Sequence, residues 1–386
     1  MSFFTGSDQP VVEALVAEFN ASQDEVEVEF LPTPGDVIDQ KIMQSIAGGD
    51  APDIVSVDSM DLAKYVEAGA VQAIDDYYSD PANETAALTT AAVGGGSYDA
   101  VHYGAPISFF TAMLLWNKGL FEAAGLDAPP TTWEEFDQMA PKLTVDENGD
   151  GVPEQYAIAL GAKETLAMYQ PLLWNAGGGL VSLDGKTATL TDPGTIDAIT
   201  FWADQVVNKK VSPAGMTGAD ADALFLSGKA AMEMIGPWAA PAAVDAGIDL
   251  GVAEPFTGPS ERVTLAGATQ FCVPTGVEES HRLAAYKFFA WWNAHDTQAK
   301  WAVGAGFPPN RTDVEASEIS DNPYPALFGA PSVMSTARVY MAGVHNGSLV
   351  TEEAWVPALE RILNQDGEIE EILAEANQTA QSLLDN

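Results

Sequence analysis

Between Gly104 and Phe136 the chain reads GAPISFFTAMLLWNKGLFEAAGLDAPPTTWEEF, and four local signals follow one another there without a gap. An apolar run with Pro106 near its start continues through Leu114, Leu115 and Trp116 and stops at Asn117-Lys118, as a strand does. A short helix, Leu120 to Ala124, is closed by Gly125, and Pro129-Pro130 forbid its continuation. Thr132 and Glu135 stand at the spacing of a capping box, so a new helix starts at Trp133. The succession reads as a link between two packed lobes.

The residues before it set the fold class. Phe3-Phe4 ends a short strand, Ser7 or Asp8 caps a helix with Pro10 in its first turn, and Val12, Leu15, Val16 and Phe19 form one apolar face. Val26, Val28 and Phe30 alternate with glutamates, as in a strand with one wet face. A second helix carries Ile38, Ile42 and Ile46 and ends at Gly48-Gly49; Ile54 to Val57 is a buried strand; Leu62, Tyr65 and Val66 mark a third helix ending at Gly69. Strand and helix alternating in this way predict an α/β domain with a mostly parallel sheet covered on both faces.

After the link the pattern restarts. YAIAL, a turn at Asp184-Gly185, TATL, a helix from about Pro193 to Val207 and AAMEMIG predict a second α/β lobe. VTLAGATQFCVP reads as a strand, followed by an amphipathic helix from Ser280 to Asn293 with Leu283, Tyr286, Lys287 and Ala290 on one face. The last 55 or so residues are helical by period, with Ile369, Ile372, Leu373, Ala376 and Ala380 at helical spacing.

At 386 residues, 47% of them hydrophobic, the chain can fill more than one core. No run is long and apolar enough for a membrane span, and no charged-then-apolar signal peptide stands at the N-terminus; the reading is of an exported chain whose signal has been removed. Sixteen basic against 56 acidic residues give a formal charge of −40, which repels nucleic acid and anionic lipid. With only five arginines, a neutral polar ligand fits better than a phosphate or carboxylate. The single cysteine, Cys272, reads as buried core, and the four histidines show no metal-ligand spacing.

Several stretches carry a family resemblance. KIMQSIAGGDAPDIVSVDS, DPGTIDAITFWADQVVNKKVSP, LFLSGKAAMEMIGPW and HRLAAYKFFAWWNAHDTQAKWAVGAGFPPNR occur in that order around the Gly104–Phe136 link. Together they resemble the family 1 extracellular solute-binding proteins of carbohydrate ABC importers, the family that includes maltose-binding protein. The resemblance implies a two-lobed periplasmic-binding-protein fold of type II, with two mostly parallel sheets and a ligand cleft between the lobes. Its expected division is 1–108 plus 270–310 for the N-terminal lobe and 109–269 plus 311–386 for the C-terminal lobe. It implies a monomeric binding protein, not an enzyme, that closes by a hinge on an oligosaccharide and delivers it to ABC permease subunits. Such a protein is periplasmic or a cell-surface lipoprotein.

The candidate ligand-binding residues each have a bland alternative. Trp238 in IGPW lies beside a chain-fixing Pro237, and the matching family position stacks on sugar; ordinary core is the alternative. Ser7, Asp8 and Gln9 follow the first strand and Asp58, Ser59 and Asp61 the third, where an open α/β sheet binds its ligand, and helix capping is their alternative. Ser108, Phe109 and Phe110 match family positions in or beside the cleft. The family's maltose binder has a carboxylate near Phe110, which this chain lacks, so maltose does not transfer as the ligand. Tyr169 and Trp174 resemble the second-lobe aromatic platform, although Leu166, Tyr169 and Leu173 share a helical face, as core residues do. Gln270, Arg311 and Trp355 complete the set. Trp133, Trp202, Trp291, Trp292 and Trp301 read as core.

DENGDGVPEQY, Asp146 to Tyr156, has the D-x-N-x-D-G opening of a calcium loop, with Asp146, Asn148, Asp150, Val152 and Glu154 at ligand positions. Ala157 stands where the closing Glu is expected, so structural calcium and a plain turn both remain open, and no cofactor is required. Two rival functions stay alive: a binder of a polyamine or other small cation, and a glycoside hydrolase, for which no catalytic motif appears.

Overall fold

The computed structural model describes residues 1–386 apart from 3, 7, 34 and 164–167. Its strands are β1 Val55–Asp58, β2 Ser97–Tyr98, β3 Val101–His102, β4 Gly104–Thr111, β5 Met113–Asn117, β6 Met232–Ile235, β7 Leu250–Ala253, β8 Thr264–Cys272 and β9 Ala337–Val339. Internal contacts divide the chain into two units. The first is Met1–Phe110, Ala266–Ala330 and Met341–Gly343; the second is Thr111–Leu265, Pro331–Tyr340 and Val344–Asn386.

In the first unit the expected helices form at Gln9–Ser22, Gly35–Gly48 and Leu62–Glu67. Val12, Leu15, Val16 and Phe19 are buried, as their spacing requires. Gly49 and Gly69 end their helices at φ of +73° and +64°, a conformation open to glycine at little cost. Ile38, Ile42, Val55, Val57, Leu62 and Tyr65 form one core cluster, which Cys272 joins; burial pushes its thiol far up, so it is packing and not a nucleophile.

The strand order in the main sheet is β1-β8-β4. β1 and β8 run antiparallel, with Asp58 opposite Thr269, and β2·β3, β5·β6 and β5·β7 are antiparallel too. Parallel pairing occurs as isolated bridges such as Tyr156 with Ala230 and Ala159 with Glu233. The expectation of mostly parallel ladders is therefore corrected: β8 re-enters the sheet after the long excursion through the second unit, and it does so head to tail with β1.

β4 is a sheet edge, which explains why Pro106 is tolerated within it. Its carbonyls are not left bare. Trp292 Nε1 donates to the Ile107 carbonyl at 2.9 Å, Asn293 Nδ2 to Pro106 at 2.9 Å, and Asn310 Nδ2 to Ile107 at 2.9 Å. These buried side chains stand in for a neighbouring strand.

Three expectations on the first unit need correction. The run Val26–Phe30 keeps its alternation, since Val26, Val28 and Phe30 are half-buried while Glu27 and Glu29 are exposed, yet it joins no ladder. Asn20 holds the Val28 amide and carbonyl at 2.9 Å each, and Gln23 holds Glu25 and Val26, so helix side chains replace strand partners. The helix Glu279–Trp292 buries Ala285, Tyr286, Phe288, Phe289 and Trp292, while Leu283 is exposed and Lys287 pairs with Glu25. Its aromatics, not Leu283, set the buried face, because Phe288 and Phe289 pack against Phe19 and Phe271. The first unit also keeps residues 311–330, because Arg311 is anchored there. Phe3 lies outside the described residues; beside it, Ser2 makes one parallel bridge to Pro32.

In the second unit β5 is the central strand, flanked by β6 and β7. The helix Trp133–Leu143 is capped by Thr132 Oγ1, which accepts from the Glu135 amide at 3.1 Å. Only half of the capping box forms, because the Glu135 carboxylate accepts from Thr131 instead, at 2.7 and 2.6 Å. Thr217 and Asp220 make the complete box that starts Gly218–Leu226. Trp133 stacks on Phe201 at 4.8 Å, and Trp202 packs against Phe136 and Phe256. YAIAL and TATL, expected as strands, contribute only single bridges, and the C-terminal stretch holds β9 as well as the helices Val356–Leu363 and Ile369–Leu384.

Candidate functional site

Each unit brings part of the expected residue set to the end of a strand. In the first, β1 ends at Asp58, whose carboxylate accepts from Thr269 Oγ1 at 3.2 Å. Ser59 is buried: its amide donates to the Ala268 carbonyl at 2.8 Å and its hydroxyl accepts from the Ala268 amide at 3.2 Å. Asp61 starts the helix Leu62–Glu67 without a side-chain cap. These three therefore form one turn fastened to β8, with half-buried carboxylates at Asp58 and Asp61.

Asp8 precedes the helix Gln9–Ser22 and is half-buried, its side chain accepting from the Gly6 amide at 3.2 Å. Burial raises its carboxyl above the usual range, partly offset by the amides of its own turn. Gln9 turns to Glu13, at 2.7 Å. Ser7 lies outside the described residues.

Gln270 is completely buried and faces inward. Its Nε2 donates to the Ala92 carbonyl at 3.1 Å, and its side chain is packed so tightly that a Cβ on Gly95, Gly96 or Gly104 would fall within 2.9 Å of it. Ser108 is fully buried, and its hydroxyl has no hydrogen-bond partner among the described residues. Phe109 and Phe110 are each 5% exposed, and the Phe110 ring lies where a Cβ on Gly267 would be, 2.4 Å away. Arg311 is buried in a lattice of its own: Nε and Nη2 donate to Asp313 at 2.7 Å each, and Nη1 donates to Glu84 at 3.1 Å and to the Asn293 carbonyl at 3.0 Å.

In the second unit β6 leads into Gly236-Pro237-Trp238. The Trp238 indole folds back over Gly236, which has no side chain to obstruct it, and remains half-buried. Tyr169, Trp174 and Trp355 are more enclosed, at 2%, 8% and 3% exposure. The Tyr169 and Trp355 rings meet edge-on at 6.4 Å, and burial pushes the Tyr169 phenol up. Trp174 has the Arg338 guanidinium 5.9 Å from its ring, and Glu261 holds Arg338 by two bonds of 2.9 and 3.0 Å. Residues 164–167, and with them Leu166, lie outside the described set.

The sequence reading missed two groups. Arg338 beside Trp174 belongs to β9, where only helix was expected. Glu233, on β6, is 2% exposed and hydrogen-bonded to Asp222; burial, and then the Asp222 charge, raises its carboxyl well above the usual range. A lone Glu inside the apolar AAMEMIG was the available signal.

The Asp146 loop is closed by its own backbone. Asp146 accepts from the Gly149 and Gly151 amides at 2.7 and 2.9 Å, Asn148 from Asp150 at 2.8 Å, Asp150 from Val152 at 2.8 Å, and Glu154 from Glu147 at 2.8 Å. Val152 is exposed. Among the described residues no three His, Cys, Asp or Glu side chains gather as a metal-holding group.

Residues 14–326, well over half of the chain, match the sequence profile of the bacterial extracellular solute-binding proteins. The chain belongs to that family. As a solute-binding protein it is 26% identical over 332 residues to the maltotriose-binding protein of Pyrococcus abyssi, an alignment spanning 83% of this chain and 68% of the relative. Its fold matches the maltose/maltodextrin-binding domain MalE from Bdellovibrio bacteriovorus bound to maltotriose, at a TM-score of 0.87 and 19% identity over 100% of this chain and 98% of that one. UgpB from Mycobacterium tuberculosis, in complex with glycerophosphocholine, aligns at a TM-score of 0.86 and 23% identity over 100% and 98%. These matches establish the two-lobed type II fold for this solute-binding protein. Among its described residues no helix is long and apolar enough to cross a membrane.

Proposed function

We propose that this solute-binding protein captures a neutral oligosaccharide and presents it to the permease subunits of an ABC importer. The observation that carries the reading is Trp238: a residue whose indole is held over Gly236 and which is only partly buried, at the end of a strand, in a chain whose other candidate aromatics are enclosed. The C–H face of a sugar packs on such a ring, while half-buried carboxylates such as Asp58 and Asp61 accept hydrogen bonds from its hydroxyls. The maltotriose bound by the Pyrococcus relative supports the same class. The protein acts as a monomer, exported and periplasmic or lipid-anchored, and performs no chemistry on its ligand. Hinge closure on the sugar would exclude water from it.

A small cationic or zwitterionic solute is the second reading, favoured by the glycerophosphocholine bound to UgpB and by the formal charge of −40. Titration calorimetry against linear and cyclic glucans, other oligosaccharides, spermidine and glycerophosphocholine separates the two. Heat with a glycan and none with the cations supports the proposal; heat with the cations alone replaces it. Release of shorter sugars from any bound glycan would overturn the non-enzymatic part.

A further inference from the structure

The strand pairing of the second unit brings two loops to one end of its sheet. β6 and β7 both run antiparallel to β5, with Met113 opposite Ile235 and Leu114 opposite Ala253, so both leave the sheet where β5 begins. β6 continues into Gly236-Pro237-Trp238 and β7 into residues 254–262. Each lies beyond the carboxyl end of its strand, where an open α/β sheet takes its ligand. The second loop is fastened down: the Ser260 and Glu261 amides donate to the Asn175 carbonyl at 2.9 and 3.2 Å, and the Val263 amide donates to Asn175 Oδ1 at 2.6 Å. Asn175 ends the helix that carries Trp174. Glu261 in turn holds Arg338 Nη2 with both carboxylate oxygens, and the guanidinium lies 5.9 Å from the centre of the Trp174 ring. All of these residues belong to the second unit.

Arg338 differs from the other enclosed arginines in what it leaves over. Arg282 and Arg311 each donate from Nε, Nη1 and Nη2. Arg338 donates from Nη2 alone, so among the described residues its Nε–H and Nη1–H groups have no protein partner, although its side chain is only 33% exposed. A guanidinium carries its donors in a rigid fork, and one already anchored on a ring and a carboxylate loses little further freedom when it binds. Adjacent hydroxyls of a sugar ring can accept from such a fork. The Glu261 carboxylate balances the charge, so an acidic sugar gains little from Arg338 and is repelled by Glu261 itself. We infer that Arg338 is a specificity-determining residue of the solute site: it donates to adjacent hydroxyls of an uncharged sugar, Trp174 and Glu261 position it, and Glu261 sets the preference for neutral over acidic sugars. The assignment rests on the reading of this protein as an oligosaccharide binder.

Titration calorimetry of the full chain tests this, with maltotriose, cellotriose and raffinose as neutral probes and trigalacturonate as the acidic one. R338K keeps the charge but not the fork, and it is expected to weaken the best-bound neutral probe by about tenfold or more, as R338A does. Either variant suffices if the other fails to give the wild-type circular dichroism spectrum. E261Q leaves the fork with an unbalanced charge and is expected to raise the affinity for trigalacturonate, relative to that neutral probe, by about tenfold. Wild-type affinity in a folded R338K or R338A, or an unchanged ratio in E261Q, overturns the inference alone. Heat from none of the four probes with the wild type overturns it together with the oligosaccharide reading.

Discussion

The indole of Trp238 occupies the space directly above Gly236: a methyl group on Gly236 would sit 2.1 Å from Cζ3 of that ring. No side-chain movement short of swinging the whole indole relieves such a contact. G236A therefore acts on Trp238 without touching it chemically. Both G236A and W238A are expected to weaken binding of the solute found by calorimetry by about tenfold, the scale of one aromatic stacking contact. Wild-type affinity in G236A would show that the ring does not contact the solute.

Glu233 makes stability depend on pH in an unusual direction. Its folded value is raised above the ordinary 4.5, so its contribution is intact below about pH 4.5 and is lost as pH rises through the folded value. Asp137 and Asp313, held low by Lys209 and Arg311, have the opposite sign, so the informative quantity is the difference between wild type and E233Q. E233Q is expected to melt higher than wild type at pH 7–8, and the gain should vanish below about pH 4.5. A gain independent of pH would mean that Glu233 is not the titrating group.

Gly96 is a packing requirement and not a flexible link. A Cβ there would lie 2.4 Å from the Gly104 carbonyl oxygen and 2.7 Å from Gln270 Oε1, and a backbone oxygen cannot rotate away. G96A should cost about 1–3 kcal/mol in urea denaturation, as overpacked cores do. An unchanged midpoint would contradict the buried placement of Gln270.

In the Asp146 loop the side chains that would face a cation are engaged with amides of the same turn. The melting temperature is accordingly expected to be the same in EDTA and in millimolar Ca²⁺, while D146A lowers it equally in both. A rise with Ca²⁺ that D146A abolishes would restore the calcium-loop reading.

Helices whose apolar spacing also matched their tertiary neighbours were legible before any coordinates. Gln9–Ser22 buries the residues its period marks, and Ile369–Leu384 buries Ile372, Leu373, Ala376 and Ala380 but leaves Ile369 at its start partly exposed. The strands were harder, because alternation at Val26–Phe30 says which side chains turn inward but not whether another strand or the side chain of Asn20 completes the backbone. Strand sense at β8 was also hidden: it depends on where a chain returns from, which no local pattern records. For the candidate site, the sequence marked residues at the ends of β1 and β6. It could not distinguish the partly buried Trp238 from the enclosed Trp174, since both follow apolar runs. Arg338 escaped because its meaning lies in Glu261, far away in sequence.

The first unit contains residues 266–330 and 341–343 as well as the opening segment. A ribosome making this chain must therefore reach Gly343 before that unit can be complete. At about 5–20 residues per second this takes on the order of tens of seconds, during which the nascent chain lacks β8, the strand between β1 and β4. The interleaved connectivity thus postpones the first unit's folding until most of the chain exists.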